Sequence, residues 1–148
     1  MSQQRTNTFE SGQNTYQVLN YRVDLDRPTV TTMPVEHDAL APFTPDDLAM
    51  GDVIRQGPAS ARVINPRNKT YTCLPNSSSP LQYPFTFILD HPAIAIPNNC
   101  IQTLFLCSFR GNVLVAKTSH DMVLRDVEED DIPLIDAVLA CAIRRKEL

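Results

Sequence analysis

The sequence predicts an α+β fold: a β-rich curved sheet or partial barrel with a short middle helix and a buried C-terminal helix. Three observations lead there. Short runs that alternate in polarity, or are apolar throughout, recur along the chain and read as strands. Twelve prolines stand against four glycines and cut the chain into segments too short for long helices. The closing stretch DDIPLIDAVLACAIRRKEL has acids before it, bases after it and apolar side chains almost all the way round between them.

Residues 1–14 are polar apart from Phe9 and read as a flexible arm, leaving 15–148 as a single compact domain. TYQVLNYRVDLD alternates: Leu19, Tyr21, Val23 and Leu25 point inward, and Asn20, Arg22, Asp24 and Asp26 outward. TVTTM, between Pro28 and Pro34, suits an edge strand. In TPDDLAMGDVIRQG, Thr44 caps the middle helix, Pro45 takes its first turn, Asp47 completes a capping box and Gly57 ends it. ASARVI and KTYTCL would form a hairpin around Asn65–Asn68, with PNSSSPLQYP as a loop. FTFIL is a short buried strand and AIAI a brief one. CIQTLFLCSF and VLVAK read as a hairpin around Arg110-Gly111-Asn112, and MVLRDV as the last strand. With so few glycines, type I turns and proline-led bends should dominate over turns needing positive φ.

The closing helix is capped by Asp130 or Asp131, and Pro133 fits its first turn. A helix apolar on all sides belongs in a core or an interface, so the expected arrangement is a curved sheet wrapped around it. Asp136 is its one central polar residue. It either touches solvent on a narrow face with Ala140 and Glu147, or is buried against a base such as Arg62 or Arg125. The cost of burying a charge favours the first.

The net charge of −4 argues against direct nucleic-acid binding, which needs excess Lys and Arg. No apolar run is long enough for a transmembrane segment, and the polar N-terminus is not a secretory signal. Cys73, Cys100, Cys107 and Cys141 are irregularly spaced, as expected of reduced thiols in an intracellular compartment, cytoplasmic or virion. In such a chain the acceptor patterns Asn68-Lys69-Thr70 and Asn76-Ser77-Ser78 stay idle.

No residue set points clearly to catalysis, a cofactor or a metal. Cys107, His120 and Asp121 supply a nucleophile, a base and an orienting acid by type, the basis of a cysteine-hydrolase reading. Cys107 however lies in an apolar stretch without a glycine elbow. His37, His91 and the cysteines lack the short spacing of zinc ligands. Asp24 with Asp26 reads as solvated, and Asp46 with Asp47 as helix capping.

FRGNVLVAK followed by DMVLRDVEEDDIPLIDAVLACAIRR resembles the ending of tubby-like and LURP-one-related domains: a strand, an acidic step and a hydrophobic helix. The resemblance covers roughly the last 40 residues. It implies a non-enzymatic barrel, threaded by that helix, that binds lipid headgroups or proteins. Residues 1–100 lack the repeated Asp/Gly hairpins of those families.

The reading expected from the sequence is a non-enzymatic structural or protein-interaction subunit, such as a small virion or assembly component, that binds a protein partner or self-associates as an oligomer. Alkylating the unfolded chain without reductant should add one adduct at each of the four cysteines. Intact mass reads the result, and two adducts or none would contradict the reducing-compartment reading.

Overall fold

The computed structural model describes residues 13–36, 67–75, 77–90 and 96–148. The helix expected over 44–57, the strand over 59–64 and residues 1–12 of the arm lie outside them.

Among the described residues, a six-stranded antiparallel sheet, not closed into a barrel, carries two α-helices, so the α+β class holds. The strands are β1 (Gln13–Tyr21), β2 (Thr29–Glu36), β3 (Arg67–Cys73), β4 (Pro80–Leu89), β5 (Val113–Thr118) and β6 (Leu124–Arg125). Their order is β2-β1-β5-β4-β3, with β6 paired to β5. The helices are α1 (Asn99–Phe105) and α2 (Ile132–Arg144), and a 3-10 turn at Glu129–Asp131 leads into α2.

β1 begins two residues inside the stretch read as arm and lies between β2 and β5. Buried side chains line both its faces. Leu19 and Tyr21 join the core under α2, while Tyr16 and Val18 join a second cluster with Ile88, Leu114, Ala116 and Leu124. This corrects the one-sided reading of TYQVLNYRVDLD. Asn20 is buried rather than wet, and the strand ends at Tyr21, before the Arg22–Asp24 ion pair. Alternation marks a half-exposed strand, and here the polar phase is short because the strand is internal.

β2 pairs with β1 from Gln13↔Glu36 to Asn20↔Thr29, so it runs longer than TVTTM and takes in Pro34, opposite Thr15. Proline is tolerated there because β2 ends the strand order. β3 pairs with β4 around a turn closed by Leu74 N to Ser79 O at 3.2 Å, and ASARVI, its expected hairpin partner, lies outside the described residues. β4 accordingly starts at Pro80, inside the expected loop. β5 is buried along its whole length and pairs with β1 and β4.

Past Leu19↔Val115 the chain after β6 takes over beside β1. Val127 N donates to Gln17 O, and Gln17 N donates to the Asp126 carboxylate, both at 2.9 Å. The expected strand MVLRDV shrinks to Leu124–Arg125 because its flanks serve this junction.

The largest correction falls on CIQTLFLCSF, expected as a strand. Asn99–Phe105 is helical, and the Asn98 side chain accepts from Ile101 N at 2.9 Å as its cap. Cys100 and Ile101 point into the core. The expected hairpin around Arg110–Asn112 is replaced by a single bridge, Pro97↔Arg110.

α2 is present where expected. Ile135, Val138, Leu139 and Ala142 pack with Tyr21, Phe85, Phe87, Val113 and Val115. Each large side chain fully buried here contributes about 2 kcal/mol. The helix lies on one face of an open sheet rather than inside a wrapped one. The threaded barrel implied by the tubby-like resemblance is not formed among the described residues. Asp131 does not cap α2 with its side chain. Its carboxylate instead accepts from Glu128 N at 2.8 Å and pairs with Lys117 Nζ at 2.9 Å.

Leu139 is fully buried. Leu139→Asp should leave an unpaired charge in the core and abolish folding, and Leu139→Ala should cost about 2–5 kcal/mol. Circular dichroism and thermal melts read both. A folded Leu139→Asp chain would contradict this packing.

Candidate functional site

Three polar arrangements and one apolar patch are the features that could carry function.

The first joins β1, α1 and α2. Tyr21 donates its hydroxyl hydrogen to Asp136 at 2.5 Å, so a tyrosine holds the carboxylate. Arg62 is outside the described residues, and Arg125 stands over the Tyr83 ring at 5.9 Å. Asp136 is half-buried, and its expected companions Ala140 and Glu147 do not form a wet face with it. Ala140 is buried, and Glu147 accepts from the Tyr71 hydroxyl at 2.8 Å. Burial raises the Asp136 pKa above the usual carboxylate range, against the opposing pull of the Tyr21 hydrogen bond. Burial, with Asp136 nearby, also raises the Tyr21 phenol, which stays protonated as the donor. Cys100 is fully buried, and burial followed by the charge of Asp136 pushes its thiol up to about 12. A thiol held protonated is a poor nucleophile, so this trio suits packing rather than covalent catalysis.

The second lies where β1 and β4 end and β5 begins. Asp90 accepts from Asn112 N at 2.8 Å, and Asn112 Oδ1 accepts from Val23 N at 3.0 Å. Asn98 Nδ2 donates to Tyr21 O at 3.0 Å and to Gly111 O at 2.7 Å. These side chains satisfy backbone groups that leave the ladders.

The third is Lys117, nearly buried between Asp131 and the Tyr83 ring, whose centroid is 4.5 Å from Nζ. The ion pair and ring compensate the desolvated ammonium.

Exposed apolar residues lie in and beside α1. Ile96, Leu104 and Leu106 are 57%, 38% and 85% exposed. Leu106 ends α1 with φ 55°, ψ 40°, its N–H bonded to Gln102 O at 2.9 Å. The left-handed region normally calls for glycine at a helix end. A bulky residue is therefore strained there, and its side chain projects into solvent. Sequence reading missed the patch because it assigned the stretch to a buried strand. Asn98 followed by apolar residues at 101, 104 and 105 was the available signal for a helix.

Of the residues considered for cysteine chemistry, Cys107 is half-buried just after α1, and His120 and Asp121 are exposed in the β5–β6 turn. No hydrogen bond links them among the described residues. His37 and His91 lie outside those residues. Asp24 bonds Arg22, and Asp26 is exposed beside Arg27. Among the described residues, no group of His, Cys, Asp or Glu is placed to hold a metal ion, and no helix is long and apolar enough to cross a membrane. No protein-family profile, curated protein or solved structure matches the chain.

The raised Asp136 pKa has a definite sign in stability. The proton binds more tightly in the folded chain than in the unfolded one. Its contribution is full below the unfolded carboxyl value and is lost as pH rises through the folded value. Asp136→Asn keeps an oxygen to accept from Tyr21 but carries no charge. It should match wild type in acid and exceed it increasingly as pH rises toward neutrality. Denaturant titrations over that range read the difference, and equal stability at neutral pH would contradict it.

Proposed function

We propose that this chain is a non-enzymatic structural or protein-interaction subunit, acting as an assembly component through the patch at the end of α1. The observation that carries the reading is Leu106, strained in the left-handed region and 85% exposed. A strained, solvated leucine adds nothing to the stability of the isolated chain. Glycine at the same position would relieve the strain, and a contact made outside the chain would give the exposed leucine a role. Ile96 and Leu104 extend the exposed apolar surface. The fate of the polar groups supports the same reading: Asp136, Asp90, Asn98, Asn112 and Lys117 are all engaged in holding elements together.

Leu106→Gly should raise stability by about 0.5–1 kcal/mol, a shift of about 2–4 °C in melting temperature. The same change, and Leu106→Ser, should weaken association with the partner. Sedimentation of the purified chain, together with affinity capture by wild-type and Leu106→Ser baits, reads the second effect. The reading predicts a partner, or self-association, that depends on Leu106. A chain that stays monomeric while both baits capture the same proteins would overturn it.

A further inference from the structure

The outward side of α2 is unusual for a surface helix. At 3.6 residues per turn, Pro133, Leu134, Ala137, Cys141 and Arg144 share one stripe, and Asp130 stands in the 3-10 turn just before it. Pro133, Leu134, Ala137 and Arg144 are exposed and Cys141 is half-buried. A surface helix ordinarily places charge on that side. Here the charges stand only at its two ends: exposed acids Glu128, Glu129 and Asp130 before the helix, and exposed bases Arg144, Arg145 and Lys146 after it. Among the described residues, neither Asp130 nor Arg144 forms an ion pair within the chain.

We propose that this stripe is an interface with a second copy of the chain, the two α2 helices lying antiparallel about a two-fold axis at Ala137. The argument is charge complementarity. Acid, apolar centre and base in sequence form a surface that becomes its own complement on reversal. An axis at Ala137 sets Asp130 of one copy against Arg144 of the other, and Leu134 against the half-buried Cys141. A parallel pair would stack acids on acids and bases on bases. Antiparallel dipoles favour the same arrangement. Ala137 at the axis lets the backbones approach closely. A two-fold contact is isologous, so one stripe serves both partners. A contact of about three helical turns is small, and its rim charges are screened by salt, so the dimer should be weak and salt-sensitive.

This inference rests on the interaction reading above but uses a surface outside the Leu106 patch. The test is sedimentation equilibrium of the full chain over a concentration series. Asp130→Arg and Arg144→Asp should each weaken the dimer about tenfold, and the double variant should restore it. Raising the salt should weaken the wild-type dimer and leave Ala137 proximity as the remaining signature. In a Cys141→Ser background, Ala137→Cys should form an intermolecular disulfide on mild oxidation, because its copies face each other across the axis. Circular dichroism checks that each variant keeps α2. A chain monomeric at every concentration, or a dimer indifferent to both charge reversals, overturns the proposal. If the chain is monomeric but a partner still depends on Leu106, the two-fold contact fails and the interaction reading survives. A dimer that survives Leu106→Ser and responds to the reversals supports the contact independently of that patch.

Discussion

Burial of the inner side of α2 against β1, β4 and β5 is the condition on which the rest of the structure depends. Ile135, Val138, Leu139 and Ala142 meet Leu19, Tyr21, Phe85, Phe87, Val113 and Val115 there. Those strands are distant in sequence, so the core under the helix is closed by long-range contacts. Its two ends are tied to the sheet by different means. At the start, Asp131 bonds Glu128 N and Lys117 of β5. At the far end, Lys146 in the left-handed region lets Glu147 N reach Ala142 O and Lys146 N reach Ile143 O, both at 2.9 Å. Glu147 then accepts from Tyr71 of β3 and from Arg145, each at 2.8 Å, and these bonds, Arg145's first, lower its carboxyl pKa.

The second dependence is polar. Where β1 leaves the ladder, α1 begins and β5 starts, backbone groups would be stranded in a nearly dry region. Asn98 caps α1 with its oxygen and ties Tyr21 O and Gly111 O with its nitrogen. Asp90, Asn112 and Val23 complete the link. A buried polar group is costly when unpaired, and one residue meets several such needs at once. This junction places α1 so that Ile101 faces the core while Leu104 and Leu106 face outward.

Much of this could be read from the residues. α2, β5 and the class of the fold follow from apolar pattern and charge at the helix ends, because those signals are local and strong. The errors have specific causes. CIQTLFLCSF is apolar enough for either state, and the cap at Asn98 decided for the helix. The β3–β4 pairing was missed because PNSSSPLQYP reads as a loop, whereas β4 starts at Pro80 within it. Few glycines suggested few left-handed residues, yet Leu106, Met122 and Lys146 all have positive φ. In the β5–β6 turn, Met122 takes that conformation with Ser119 N to Val123 O at 2.9 Å, a geometry glycine would adopt without strain. Leu106 was illegible for the same reason: a composition shows how many glycines exist, not where the backbone does without them.

The closing helix raised the question of how a helix could lack a wet face. A curved sheet wrapped around the helix was the expected answer; among the described residues the sheet is open, and the core covers one side of α2. Half of the apolar surface is explained by the core. The other half, at Pro133, Leu134 and Ala137, is exposed, so it cannot be assigned to the fold of the single chain. Asp136 marks the boundary between these halves. It is half-buried at the side of the helix, close enough to the core for Tyr21 to hold it. Its charge is tolerated there because a tyrosine hydroxyl supplies one hydrogen bond and partial exposure supplies the rest. Moved one turn inward it would be costly, and moved outward it would interrupt the apolar stripe. Its position leaves both surfaces of α2 intact, which is what a helix shared between a core and a contact requires.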